Sequence, residues 1–112
     1  MALTPQCQKV VAYIERWGSL NSIEAITHYG ITRLAARIHD LKYTNRAMKA
    51  VPAENAAKGF VKYVPDFEQR RANLKRRMYE ELETADGIRL AELHVKYAAK
   101  FSLMNIKERE HA

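Results

Sequence analysis

The chain has 112 residues, 47% of them hydrophobic and 29% charged, a balance that indicates a folded globular protein and excludes a disordered one. Its longest apolar run, Val10 to Ile14, is far shorter than the ~20 residues that span a bilayer. The single cysteine, Cys7, excludes an internal disulfide and fits a reducing compartment. We therefore expect a cytoplasmic protein with one ordinary domain, or a small domain plus an appendage.

The net charge of +6 is concentrated in the first part of the chain. Residues 1–65 carry nine Lys or Arg against four Asp or Glu, whereas residues 66–112 carry ten against nine. A basic segment favours a polyanionic partner such as nucleic acid. Alternatively, the charge serves only to keep the protein in solution.

The first predicted helix begins at Thr4-Pro5, because threonine can cap free backbone N–H groups and proline suits the first helical position. Gly18 is a natural end, since glycine readily adopts the left-handed conformation. Apolar residues recur at helical spacing between these two points: Cys7, Val10, Val11, Ile14 and Trp17. We expect this stripe, including Trp17, to face the core.

A second helix is predicted after Asn21, which can form a capping box with Glu24 three residues later. Gly30 is expected to end this helix, and Ile31 to pack in the angle before the next one. The residues expected to face inward are Ile23, Ala25 and Ile26.

The third predicted helix runs from about Arg33 to Tyr43, with Thr32 as its cap. A cap at this position leaves the N-terminus of the helix able to face a phosphate. The buried stripe is formed by Leu34, Ile38 and Leu41. The outward side carries Arg33, Ala36, Arg37 and Asp40.

This outward side has the composition of a DNA recognition helix. Arg33 and Arg37 can reach guanine edges or phosphates, and small alanines avoid clashes in the major groove. Alternatively, the side is solvated and Asp40 pairs with Arg37 or Arg33. Arg37 can also pair with Glu24.

Two strands are predicted next, Met48 to Ala53 and Phe60 to Val64, with residues 54–59 as a hairpin tip. Pro52 indicates that the first strand is an edge strand or ends there. Three helices followed by a hairpin is the winged-helix arrangement. The wing would carry Lys49, Lys58 and Lys62, suited to phosphate contact or, alternatively, to protecting an edge strand from aggregation.

The segment from Trp17 to Lys42 contains G-S-L-N-S-I-E-A, then Y-G-I-T-R-L-A-A-R-I and D-L-K. It resembles a family of small winged helix-turn-helix domains common in bacteriophages, prophages and mobile elements. The resemblance covers about the first 65 residues. It implies a winged-helix fold and DNA binding, with Arg33 and Arg37 on the third helix.

Pro65-Asp66 marks a predicted boundary, which gives a DNA-binding domain at 1–65 and a helical extension at 66–112. The fourth helix has an apolar line formed by Phe67, Leu74, Met78 and Leu82. A basic cluster surrounds this line and consists of Arg70, Arg71, Lys75, Arg76 and Arg77. The cluster can follow a phosphate backbone, pair with acids of a second subunit, or be a solvated face.

A last helix is predicted from about Ile88 to Leu103, and the polar tail at 107–112 is expected to fray. Its stripe consists of Leu90, Leu93, Tyr97 and Phe101, while Ile88, Val95 and Met104 lie off that stripe. The apolar sides of these two amphipathic helices must be buried, either because the helices fold back or because they contact a second copy. A homodimer through these helices is the usual solution in helix-turn-helix proteins.

The sequence therefore predicts a mainly α protein, a winged helix-turn-helix followed by a two-helix extension. We expect a non-enzymatic, cofactor-free protein that binds double-stranded DNA as a transcriptional regulator or DNA-dependent accessory factor of a phage, prophage or plasmid. Its four histidines are scattered and show no metal-ligand spacing. The residues expected to contact DNA are Thr32, Arg33, Ala36, Arg37, Asp40, Lys42, Tyr43, Lys49, Lys58 and Lys62, with the basic cluster of the fourth helix as further phosphate contacts. The alternative is an inhibitor or adaptor that binds a host protein.

Overall fold

The computed structural model describes residues 3–53 and 60–111 of the chain. These ranges form, in chain order, α1 (Pro5–Trp17), β1 (Leu20–Asn21), α2 (Ser22–Tyr29), α3 (Leu34–Leu41), β2 (Met48–Pro52), β3 (Val61–Pro65), α4 (Phe67–Glu83) and α5 (Gly87–His111). No helix in these ranges is long and apolar enough to cross a membrane. The chain divides into two compact units, residues 1–66 and 67–112.

α1 begins and ends as its sequence predicts. Thr4 Oγ1 accepts a hydrogen bond from the Cys7 backbone N–H at 3.3 Å, and Pro5 occupies the first turn. Gly18 adopts a φ of 89°, and its N–H donates to the Ile14 carbonyl at 2.7 Å. The placement of Trp17 in the core was wrong, because its side chain is 64% exposed.

α2 is held by the predicted capping box. The Glu24 N–H donates to Asn21 Oδ1 at 2.8 Å, and the Asn21 N–H donates to Glu24 Oε1 at 3.0 Å. Ala25 is buried, but the prediction that Ile23 and Ile26 face inward was wrong, because both are exposed. At 100° per residue, Ile23 and Ile26 lie about 160° and 100° away from Ala25, so they point to other sides of the helix.

α3 buries the stripe that was predicted for it, and Ile31 is buried before it. The predicted cap was wrong by one residue. Arg33, not Thr32, occupies the N-cap position, and it makes no side-chain capping bond. The helix ends at Leu41, two residues before the predicted end, where Thr44 Oγ1 donates to the Leu41 carbonyl at 2.7 Å and closes a turn.

The three strands form an antiparallel sheet in the order β1-β3-β2, so β2 is an edge strand as Pro52 indicates. β1 was not predicted as a strand, because its pairing of Leu20 with Tyr63 joins residues far apart in sequence. Tyr63 packs against the core. Lys62, one residue earlier, lies on the other face of the sheet.

The core of the first unit lies between the helices and the sheet. Its buried residues are Cys7, Val10, Val11, Ile14, Leu20, Ala25, Ile31, Leu34, Ile38, Leu41 and Met48. They come from α1, β1, α2, α3, β2 and the turn before α3, and β3 adds the partly buried Tyr63, which packs against them. This core fixes α3 relative to the hairpin.

The second unit is an antiparallel pair of helices, α4 and α5. Its core contains the buried Leu74, Leu93 and Tyr97. Five partly buried residues pack against that core: Met78, Leu82, Ala85, Phe101 and Met104. The prediction that Met104 lies off the apolar stripe of the last helix was therefore wrong. The predicted frayed tail was also wrong, because α5 continues to His111. Arg71 pairs with Glu108 in the last turns of α5.

Candidate nucleic-acid interface

α3 lies against α1, and a small residue permits their close approach. Cys7 of α1 is buried, and its Sγ lies 3.9 Å from the Arg37 carbonyl. The turn after α3 is tied to α1 by an ion pair between Arg46 and Glu15. Because the stripe Leu34, Ile38 and Leu41 faces inward, the opposite side of α3 is left to solvent.

The solvent side of α3 is centred on small and polar residues. At 100° per residue, Ala36 and Tyr43 lie opposite Leu34, with His39 and Asp40 on either side. Tyr43, His39 and Asp40 are exposed, and Ala36 is half-buried. The sequence prediction included three of these four residues and omitted His39, although the same angular count places it on this side.

Arg33 precedes the first turn of α3 and is exposed. Among the described residues it makes no ion pair and no side-chain hydrogen bond. Its carbonyl accepts from the N–H groups of Ala36 and Arg37 at 3.1 and 3.3 Å. The earlier N–H groups of the helix have no such partner within it, which is the usual setting for an anion at a helix N-terminus. Thr32, also exposed, lies beside them.

Arg37 is held on the protein. Its Nε lies 3.2 Å from Asp40 Oδ2, and its Nη1 donates to Gln6 Oε1 at 3.3 Å. The pairing of Arg37 with Asp40, one of the alternatives drawn from sequence, is therefore present. A pair this exposed contributes only about 0.2–1 kcal/mol, so exchange of Asp40 for a DNA group costs little.

The alternative pairing of Arg37 with Glu24 is not formed in the described part of the chain. The Tyr13 hydroxyl instead donates to Glu24 Oε2 at 3.0 Å, while Oε1 serves the capping box. Burial raises the pKa of Tyr13, and the neighbouring Glu24 raises it further. Glu24 therefore joins α1 to α2 and takes no part in the α3 surface.

The end of α3 and the sheet supply further cations. Lys42 Nζ lies 5.4 Å from the centre of the exposed Tyr43 ring. Lys49 is paired across the sheet with Val64, and Lys62 with Val51, so the two lysines are diagonal neighbours on the outer face. Lys58 and the predicted hairpin tip lie outside the described residues.

The basic cluster of α4 is not presented as one surface. Arg70 is buried, with its guanidinium 5.2 Å from the centre of the Phe67 ring, so we remove it from the candidate phosphate contacts. Arg71 is engaged by Asn105 at 3.1 Å and by Glu108. Lys75, Arg76 and Arg77 are exposed. Position along the helix did not distinguish the buried or paired arginines from the exposed cations, because burial depends on what packs against each residue.

The exposed Trp17 belongs to an aromatic group on α1 and α2. The Tyr13 ring lies 5.4 Å from that of His28, 6.1 Å from Tyr29 and 6.3 Å from Trp17. Arg16 stacks over Trp17 with its guanidinium 5.1 Å from the ring centre. Trp17 therefore belongs to a surface cluster and not to the core.

Residues 5–44, which span α1 to α3, match the family model of the winged helix-turn-helix domain. The first unit has the winged helix-turn-helix fold. The hairpin of β2 and β3 follows α3 as the wing, beyond the matched residues. The predicted fold, a winged helix-turn-helix followed by C-terminal helices, is therefore confirmed. No curated protein and no solved structure matches the chain.

The winged helix-turn-helix domain supports a DNA-binding role for this chain. Domains of this kind are typically non-enzymatic. In residues 3–53 and 60–111, no group of three His, Cys, Asp or Glu side chains is placed to hold a metal ion. The candidate nucleic-acid interface is therefore the exposed side of α3 together with the cations around it.

Proposed function

We propose that this protein is a sequence-specific DNA-binding protein that inserts α3 into the major groove. The observation that carries the proposal is the exposed Arg33 at the start of α3, which is unpaired among the described residues. It stands on a helix whose opposite side is anchored by Leu34, Ile38 and Leu41. A rigid helix with a cation free to bind is what reading of base edges requires.

The contacts follow from the position of each side chain. Arg33 reaches a guanine edge or a phosphate, and Thr32 donates to a phosphate at the helix N-terminus. Ala36 lies at the centre of the exposed side, where its small size allows close approach to the groove floor. Arg37 exchanges Asp40 for DNA, or stays paired and positions Asp40 toward a cytosine amino group.

The wing and the end of α3 bind the flanking backbone. Lys49 and Lys62 share one face of the sheet, and Lys58, which lies between them in sequence, is a further cation of this proposal. Lys42 and Tyr43 add a cation and a hydroxyl next to the exposed side of α3. Contacts of this kind set register and affinity and carry no base information. Lys75, Arg76 and Arg77 of α4 are additional phosphate contacts in this proposal.

Two copies acting together would supply the specificity that one copy lacks. α3 offers few long side chains, since only Arg33 and Arg37 can reach deeply into a groove. A two-fold dimer doubles the contacts and reads two half-sites about one helical turn apart. The biological role that fits such a protein is transcriptional regulation or DNA-dependent accessory work. The resemblance to domains of mobile elements supports a phage, prophage or plasmid setting.

The test is selection of bound sequences from a random double-stranded DNA pool with the full-length protein. The proposal predicts an enriched motif with two-fold symmetry, and binding to it that weakens steeply as salt rises. Retention of DNA without an enriched motif would reduce the proposal to non-specific binding. No retention at low salt would refute it and leave the alternative of a protein partner.

A further inference from the structure

α5 carries apolar residues on two opposite sides. The side that packs against α4 is centred on the buried Leu93 and Tyr97. At 100° per residue, the opposite side carries a second apolar stripe, which we call the outer stripe: Ile88, Val95, Ala99 and Ile106, with Leu103 at its edge. The exposed fractions are 79% for Ile88, 73% for Val95, 53% for Leu103 and 43% for Ile106.

α4 has no equivalent of the outer stripe. The side of α4 that lies opposite its own core residues carries Gln69, Arg76 and Glu80, which are all polar. A surface helix that packs on one partner has one apolar side and one polar side, as α4 does. The second apolar side of α5 therefore indicates a second partner for that helix.

The spacing of the outer stripe identifies that partner. Its four central residues are separated by seven, four and seven positions, an order that is the same in both directions about Tyr97. An interface between two identical copies must be complementary to itself under a two-fold rotation. The outer stripe meets that condition, because reversal of the helix exchanges Ile88 with Ile106 and Val95 with Ala99.

Side-chain size favours the antiparallel orientation. In a parallel pair, Ala99 would face Ala99 of the second copy and leave a gap, whereas Val95 would crowd Val95. In the antiparallel pair, each valine faces an alanine. Charges of both signs lie beside the outer stripe, with Glu92 and Glu110 along one edge and Arg109 along the other, so no run of like charge opposes the pairing.

We propose that the outer stripe of α5 binds the outer stripe of a second copy of this chain in antiparallel orientation. The inference rests on the two-copy binding mode proposed above and names its interface. The stripe spans five turns, about 27 Å, which is long enough for a coiled-coil contact. Five apolar side chains per copy make a small interface, so we expect a dissociation constant in the micromolar range, roughly 1–100 μM.

The first test measures the mass of the full-length protein in solution without DNA, by sedimentation equilibrium from roughly 1 to 500 μM, a span chosen around the expected dissociation constant. The wild type should pass from monomer to dimer across this range. Val95→Glu should raise the dissociation constant at least tenfold, because two buried carboxylates would face the interface near its two-fold axis.

The matched control for that test is His94→Glu, which places the same charge on the adjacent, exposed position outside the outer stripe. It should dimerise as the wild type does. Circular dichroism must show unchanged helix content in both variants. If Val95→Glu has a lower helix content than the wild type, Ile106→Lys is used as the test variant in its place. A wild type that stays monomeric, or equal dimerisation of Val95→Glu and the control, would overturn the inference.

The second test determines the orientation. A protein carrying Ile88→Cys is mixed with one carrying Ile106→Cys and treated with a short bis-maleimide cross-linker. Cys7 is buried and should not compete. The antiparallel pair predicts cross-linking between the two variants and little within either alone. Cross-linking within each variant and none between them would refute the antiparallel arrangement.

These measurements separate the interface from DNA binding. A monomeric protein that still selects a DNA motif would refute the interface and leave the proposed function standing. A dimer that retains no DNA would refute the proposed function and leave the interface standing.

Discussion

The two units of the chain use their apolar residues to different extents. The first unit buries eleven residues in one core that involves its helices and strands. The core of the second unit contains three buried residues, with five more packed partly against them, while four large apolar side chains of α5 stay exposed in the described part of the chain. The difference arises from architecture, because a sheet packed on three helices encloses residues that a pair of helices leaves open.

This difference separates what each unit can do alone. The first unit has a closed core and can present α3 as a rigid element without help. The second unit is shorter than the size at which a single core ordinarily gives a stable domain. Its exposed apolar surface is the basis of the interface proposed above for α5.

The largest expected effect tests whether the first unit depends on its own core. Ile14→Ala removes a fully buried side chain and should lower the free energy of unfolding by about 2–5 kcal/mol. Trp17 is the only tryptophan and lies in the first unit, so its fluorescence during denaturant unfolding reports on this unit.

The matched control is Ile23→Ala, which deletes the same atoms from an exposed position and should change the free energy by no more than about 0.5 kcal/mol. Equal losses of unfolding free energy from both substitutions would mean that Ile23 faces the core, as the sequence predicts.

Features set by neighbours in sequence were predictable in this fold. The cap at Thr4, the capping box of Asn21 with Glu24, and the glycine that ends α1 each involve residues within a few positions of one another. β1 was not predictable in the same way, because Leu20 becomes a strand residue only through its pairing with Tyr63. Trp17 continues the apolar stripe of α1, but its ring lies at the surface beside Tyr13 and under Arg16.

The candidate site was predictable in type and less so in detail. The buried side of α3, and hence the side left to solvent, followed from Leu34, Ile38 and Leu41, whose spacing is local. The state of each arginine did not follow, because Arg33 is exposed, Arg37 is held by Gln6 of α1, and Arg70 is buried. These outcomes depend on which residues of other elements lie nearby.

The second prediction asks whether DNA binding belongs to the first unit. Arg33→Ala should weaken binding to the selected DNA by about 1–3 kcal/mol at fixed salt. Arg37→Ala should weaken it less, because Arg37 is already paired with Asp40 in the free protein. Fluorescence anisotropy with labelled duplex measures both.

The charge-matched control is Arg109→Ala in α5, which also removes one positive charge from an exposed position. It should change affinity little. If Arg33→Ala and Arg109→Ala weakened binding equally, the effect would come from net charge, and the assignment of α3 as the reading element would fail.

The third prediction compares the starts of two neighbouring helices in the first unit. Asn21→Ala removes the capping box of α2 and should lower the free energy of unfolding by roughly 0.5–2 kcal/mol. Thr32→Ala, before α3, removes no capping bond and should leave stability within about 0.5 kcal/mol. A larger loss from Thr32→Ala, followed by denaturant unfolding, would restore Thr32 as the cap of α3.

The smallest expected effect concerns acid sensitivity of the second unit. The Tyr97 hydroxyl and the Lys96 ammonium, 3.3 Å away, hold the pKa of Glu81 below its ordinary value. Because the folded state favours the ionised carboxylate, its contribution is complete above the ordinary glutamate pKa of about 4.3 and is lost as pH falls through the lowered value.

Glu81→Gln should therefore lower the melting temperature of the helical signal at pH 7, and its effect should disappear as the pH falls through the lowered pKa of Glu81. Glu83→Gln is the control, since Glu83 is exposed and makes no ion pair among the described residues. The difference between wild type and Glu81→Gln should shrink steadily from pH 5 to pH 3 in circular dichroism melts. A difference that stays constant over this range would mean that Glu81 acts through packing or hydrogen bonding that survives protonation. The contact with Lys96 would then contribute nothing that depends on charge to holding α4 against α5.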